Sequence, residues 1–243
     1  MRRSFPLALV SWLLLSGVAQ AQNLVPNGGF ESVKGRVSAV DQIGRAAGWG
    51  AVTLGFADLF TRDAGHPDVV VPGNLYGSIE PVEGDRYAGL FAWKDDGRFT
   101  AHDEGRQDPF APGWNVYAEY IQIELRRPLT EGEQVRVRFM AALAPMSDRA
   151  VSGLGAYCSP VALHGDHRRF LQEKAQVASA TVLDQRGAWV EVSGTFEADG
   201  GERHLVIGTF PYVGFEAARL VDGPDNKYAY YYIDAVSVEP VIN

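Results

Sequence analysis

The stretch from Glu133 to Ala144, EQVRVRFMAALA, sets Val135, Val137, Phe139, Ala141 and Leu143 at every second position, with Arg136 and Arg138 between them. A period of two puts the apolar side chains on one face of an extended strand, whereas a helix would scatter them around its circumference. The same alternation runs through YAEYIQIELRRPL, where Ile121, Ile123 and Leu125 share one face and Tyr120, Gln122 and Glu124 the other. Between these two runs lies RPLTEGE, with Pro and Gly where a connection belongs. Further strands are expected at RYAGLFAW, VSGLGAYCS, AWVEVSGTFEA, RHLVIGTF and AYYYIDAVSV, giving about eight to ten in all. The best helical stretch, HRRFLQEKAQVA, reads equally well as a solvated loop. Many short strands with Gly-rich and Pro-rich joins predict an all-β jelly-roll sandwich. Two long polar segments, 94–115 and 211–228, are expected loops, and loops of that length are more often functional than silent.

The chain opens with Arg2 and Arg3, an apolar run from Leu7 to Leu15, and Ala19 and Ala21 spaced as a cleavage site. That is the pattern of a signal peptide over 1–21, so residues 22–243 are expected as one exported domain, periplasmic or extracellular. The run is too short to span a membrane. Cleavage would remove two cations and no acids, moving the formal net charge of -8 two units further negative. Nucleic acid and anionic membranes want a basic face, so both are excluded as expected partners. Cys158 is the single cysteine and can form no internal disulfide; the expectation is a buried small residue.

Eight motifs in order, NLVPNGGFE, GW, VPGNLYG, GDRYAGL, EYIQIEL, LGAYCS, the run from Trp189 to Phe210, and YYYIDAVSV, cover nearly all of 23–238. Together they resemble the exported galactose-binding-like, carbohydrate-binding-module-like β-sandwich domains of bacterial envelope and secreted proteins. The resemblance implies a structural calcium ion joining first and last strands, with Glu31 and Asp234 as carboxylate ligands and a carbonyl near Arg86. Calcium takes six to eight oxygens, so ligands distant in sequence are reasonable. Ala235 stands where relatives commonly carry a second Asp. From the residues alone, Glu31 could instead be an exposed strand end and Asp234 an edge gatekeeper. Asp234 interrupts an apolar run from Tyr230 to Val238, where an unpartnered buried carboxylate would be costly.

Catalytic signatures are scarce: no G-x-S-x-G elbow, Walker loop, G-x-G-x-x-G or H-E-x-x-H occurs. His164, Asp166 and His167, and likewise His102, Asp103 and Glu104, read as solvated loops before they read as metal sites. Thirty acidic residues leave a carboxylate-dependent glycoside hydrolase open, though nothing selects a pair. Aromatic residues are more informative, because sugars stack C–H faces on rings while polar side chains reach hydroxyls. The expected ligand-binding residues are Trp93, Trp114, Tyr117, Tyr120, Gln122 and Glu124, the last three on the polar face of one strand. Trp49 and Trp189 are expected in the core, and the tyrosines at 230–232 read more readily as sheet packing than as a binding platform. The leading expectation is therefore a non-catalytic exported domain that binds carbohydrate or another envelope component. The alternative is a domain that docks onto an envelope protein. With VEPVIN directly after the last expected strand, no attached catalytic or peptidoglycan-binding domain is expected, which shifts weight toward that alternative.

Overall fold

In the computed structural model, residues 22–95, 116–211, 217–219 and 227–241 are described, the 217–219 segment by its backbone alone. The signal segment, Trp114 and the His102–Glu104 cluster lie outside them. The early strands are β1 (Trp49–Ala51), β2 (Asp58–Thr61), β3 (Gly73–Asn74), β4 (Gly77–Ser78) and β5 (Arg86–Asp95). The middle strands are β6 (Val116–Tyr117), β7 (Ile121–Glu124), β8 (Gln134–Leu143), β9 (Arg149–Val151) and β10 (Leu154–Ser159). Then follow β11 (Val177–Ala178), β12 (Val190–Glu197), β13 (His204–Thr209), β14 (Ala217–Arg219) and β15 (Tyr228–Pro240). Two single turns of 3-10 helix lie among the described residues, Ile43–Arg45 and Pro67–Val69, and Pro211 is also helical. None is long and apolar enough to cross a membrane. The HRRFLQEKAQVA stretch is irregular.

A five-stranded antiparallel sheet has the order β1-β7-β13-β10-β11, and a six-stranded sheet has β12-β8-β15-β5-β2 with β6 on β5. From β5 onward the main strands alternate between the sheets, β5 to β7 to β8 to β10 to β12 to β13 to β15, which is jelly-roll winding. The expected all-β sandwich is what forms. Leu59, Ala88, Leu90, Phe139, Tyr231 and Ile233 from the larger sheet join Ile121, Ile123, Leu205 and Ile207 from the smaller one in a shared buried cluster. Cys158 is buried there as a free thiol, and burial pushes it up to about 12.

The chain ends are clasped. Residues 23–28 run along β15, with Leu24 N donating to Val238 O at 2.8 Å and Val236 N to Gly28 O at 3.0 Å. Asn23 fills the gap between them, its amide donating to Val236 O and its oxygen accepting from Val238 N, both at 3.1 Å. A Cβ on Gly28 would strike the Val236 carbonyl oxygen, so only glycine allows this approach.

Both carboxylates expected at the clasp reach one turn, 82–86. Asp234 is fully buried; its Oδ2 accepts from Val82 N at 2.8 Å and Glu83 N at 3.3 Å, and its Oδ1 from Ala235 N at 2.7 Å. Glu31 accepts from Asp85 N at 2.9 Å and from the Arg86 guanidinium at 2.7 Å. The juxtaposition inferred from sequence is present, but its donors do not fit calcium. N–H groups and a guanidinium converge on these oxygens, where a cation would need further oxygens. Among the described residues no group of three or more His, Cys, Asp or Glu is placed to hold a metal ion, and this includes His164, Asp166 and His167. The clasp closes on hydrogen bonds.

Candidate functional site

The outward face of the six-stranded sheet is aromatic. Register sets Phe60 opposite Tyr87, Asp58 and Tyr232 opposite Gly89, and Tyr230 opposite Phe91, so these side chains share a face. A Cβ on Gly89 would enter the Tyr230 and Phe60 rings, so glycine lets the rings close over the strand. The segment carrying β3 and β4 covers part of this face. Asn74 hydrogen-bonds the Tyr87 and Tyr232 hydroxyls at 3.0 and 2.8 Å, and Tyr76 stacks on Tyr230 with centroids 3.7 Å apart.

Beyond that cover the face opens into a cleft of about 350 Å³. Its walls are three rings in edge contact, Tyr76 to Phe91 at 5.6 Å and Phe91 to Tyr117 at 5.8 Å. The Lys94 ammonium lies 4.7 Å over Phe91, and the Arg168 guanidinium 5.8 Å from the Tyr117 centroid. Such placements hold a cation by the ring quadrupole while leaving its N–H groups free to turn outward. Asp41, Asp95 and Glu119 complete the lining.

Two buried carboxyls fix this lining from behind. Glu119 accepts from Phe91 N at 2.9 Å and from the Tyr117 hydroxyl at 2.6 Å. Asp58 accepts from the Tyr230 hydroxyl and from Asp41 N, each at 2.6 Å. Burial, and then the charge of Asp58, holds Glu119 well above the usual carboxylate range. Burial pushes Asp58 up to about 6, against the hydrogen bond from Tyr230. Every oxygen of the pair is engaged by the fold, so these carboxyls position Phe91, Tyr117 and Asp41; they are not presented to a bound molecule.

A second, more open cleft of about 490 Å³ adjoins the first, with Asp41 in both linings. Lys34, Gln42, Arg45 and Phe56 line it. Phe56, 49% exposed, carries the most exposed aromatic ring among the described residues. A Cβ on its neighbour Gly55 would meet the Tyr117 hydroxyl and the Glu119 side chain, so this loop packs close behind the first cleft.

The residues expected from sequence separate sharply. Tyr117 lies in the cleft. Trp93 does not: a bulge pairs Tyr230 with Phe91 but Ala229 with Trp93, which turns the indole inward, where it is fully buried. Tyr120 is also fully buried, its hydroxyl donating to Thr209 O and accepting from Leu171 N. Gln122 is buried as a latch, its amide bonding both Leu163 O at 2.9 Å and Leu163 N at 3.0 Å. Segment 163–171 therefore covers the outer face of β7, and neither Tyr120 nor Gln122 offers a surface to a sugar. Glu124 is exposed on the other sheet, 2.6 Å from Arg203. Tyr76, Phe91, Lys94, Asp41 and Arg168 were not singled out; the available signals were Tyr76 within the Gly-rich VPGNLYG and Lys94 at the mouth of the 94–115 segment.

No family model matches this sequence, and no curated protein matches it. Among solved structures the chain is similar to the CBM22-1 xylan-binding domain of Xyn10C from Paenibacillus barcinonensis, with 12% identity over 93% of this chain and 99% of that one, at a TM-score of 0.43. It is also similar to TmCBM61 in complex with β-1,4-galactotriose, with 9% identity over 91% and 100% of the two chains, at 0.41. A cleaved adhesin domain of Lys-gingipain from Porphyromonas gingivalis matches at 11% identity over 88% and 96%, at 0.40.

Proposed function

We propose that this chain is a non-catalytic, exported binding domain that recognises carbohydrate in the Tyr76–Phe91–Tyr117 cleft. The observation that carries the reading is the cleft itself: rings in edge contact, held from behind by buried carboxyls and flanked by charged side chains that can reach hydroxyls. Rings supply flat apolar area at little cost in side-chain freedom, and a preformed wall lowers the ordering cost of binding. The engagement of Asp58 and Glu119 by the fold supports a binding role over hydrolysis. Affinity electrophoresis against a panel of polysaccharides tests the proposal. Retardation by at least one polysaccharide, lost in Tyr117→Ala at a temperature below that variant's own melting midpoint, is the expected result; retention unaffected by that substitution would contradict it. The second reading, docking onto an envelope protein, has in its favour Leu75 and Met146, both exposed on segments joined by the Met146 N to Tyr76 O hydrogen bond. A partner bound through them would be lost in a Leu75→Ser, Met146→Ser variant that still binds glycan normally.

A further inference from the structure

We infer that the ligand of the joined clefts is an acidic glycan, a chain bearing uronate carboxylates, and this rests on the carbohydrate reading above. Four cations line the two clefts: Lys94 and Arg168 in the first, Lys34 and Arg45 in the second. None of the four is in an ion pair among the described residues. Arg45 touches only a carbonyl, that of Lys34 at 3.2 Å, and Lys94 and Arg168 lie on rings.

Some arginines elsewhere carry carboxylate partners, while others, Arg36 and Arg126 among them, meet only backbone carbonyls. Arg62 is held by Glu80 and Asp85, Arg86 by Glu31 and Asp63, Arg127 by Glu133, Arg149 by Asp148, and Arg203 by Glu124. With 30 acidic residues against 22 basic, carboxylates are plentiful, yet four cations without one line two clefts that share Asp41. Two acids also face these clefts, Asp41 and Asp95; Glu119 is turned to Phe91 N and Tyr117. Cations therefore outnumber facing carboxylates two to one in a chain whose net charge is negative.

Rings and cations line both clefts together. Phe56 lines the second cleft with Lys34 and Arg45, and in the first Lys94 lies over Phe91 and Arg168 over Tyr117. A pyranose stacked on a ring presents its equatorial substituents outward at the ring's edge, and a C6 carboxylate there meets an ammonium or guanidinium. Charge-assisted hydrogen bonds of that kind are about twice as strong as neutral ones, and a neutral sugar cannot form them. Asp41, at the junction, remains as an acceptor for hydroxyls.

The test measures dissociation constants for polygalacturonate, alginate and hyaluronate, each beside its carboxyl-reduced neutral form, with the full chain and with Lys94→Ala, Arg168→Ala. At least one polyuronate is expected to bind roughly tenfold or more tighter than its reduced form, and the double variant to lose about that factor, the scale of one charge-assisted contact. The Arg62→Ala, Arg203→Ala variant, which removes paired arginines away from the clefts, controls for overall charge and is expected to bind normally. Equal or tighter binding of the neutral forms would overturn the acidic class while leaving the carbohydrate reading intact. Absence of binding to every charged and neutral glycan would overturn both. A loss as large in the Arg62→Ala, Arg203→Ala control would overturn the assignment to these clefts.

Discussion

The clasp and the cleft use the same materials to opposite ends. At the clasp, Asp234 has three N–H donors and Glu31 a backbone N–H and a guanidinium, so polar groups distant in sequence complete one another. At the cleft, buried Glu119 and Asp58 are completed in the same way, but the cations in front of them are left without carboxylates among the described residues. Where partners are complete the fold is closed; where cations stand open beside rings, something else can supply the anion. In both regions a buried carboxylate secures backbone N–H groups, and the difference lies in the cations that the cleft leaves lying on rings.

The largest expected effect is at the clasp. Asp234→Ala removes the acceptor of three partly buried backbone N–H groups and empties a buried site, and an unsatisfied buried donor costs about 1–3 kcal/mol, less where water can reach it. A net loss of roughly 3 kcal/mol, or about 6–12 °C in melting midpoint for a chain of this size, is expected by calorimetry, with Asp234→Asn losing less because one acceptor oxygen survives. Glycan binding by either variant below its midpoint should be unchanged, since the cleft lies on other elements.

A smaller effect distinguishes the carboxyls behind the cleft. Asp58 is raised from 3.8 in the unfolded chain to about 6 in the fold, so the folded state holds its proton more tightly. The contribution of this group to stability is therefore fully present below pH 4 and is lost as pH rises from about 4 to 6. The magnitude is on the order of 2–3 kcal/mol. Subtracting the urea stability of Asp58→Asn from that of the parent at several pH values isolates it; a difference that does not move between pH 4 and 7 would contradict the burial of an ionisable group there. Smallest of all is the expected response to chelation. With N–H donors filling the clasp, removal of calcium should leave the midpoint unchanged, whereas a ligand bound to the native state would raise it by mass action. A chelator-induced fall of several degrees would replace the hydrogen-bonded clasp with an ion.

Sequence carried the sandwich well because alternation reports a half-buried strand directly, as in Gln134–Leu143, while Arg86–Asp95 and Tyr228–Pro240, covered on both faces, read as apolar runs between turn signals. The family resemblance brought Glu31 and Asp234 to one place, and both do reach the 82–86 turn, with hydrogen-bond donors where a shared ion was expected. The cleft was harder to read. Alternation separates two faces of β7 without saying which is covered, and the irregular segment 163–171, which hides Tyr120 and Gln122, has no periodicity to announce it. One bulge sufficed to turn Trp93 inward. Tyr76, Phe91, Tyr117 and Arg168 meet only through long-range packing, which no local pattern encodes.

The central claim, that ligand binds at the aromatic cleft and not on the β7 face or the clasp, is tested most directly by a backbone-amide NMR titration with an oligosaccharide of the best-retained polysaccharide. The account predicts shifts concentrated at Phe91, Lys94, Tyr117, Arg168 and Phe56, with residues 82–86 and 234–236 unmoved. Shifts centred on Gln122 and Glu124, or spread evenly over the surface, would contradict it.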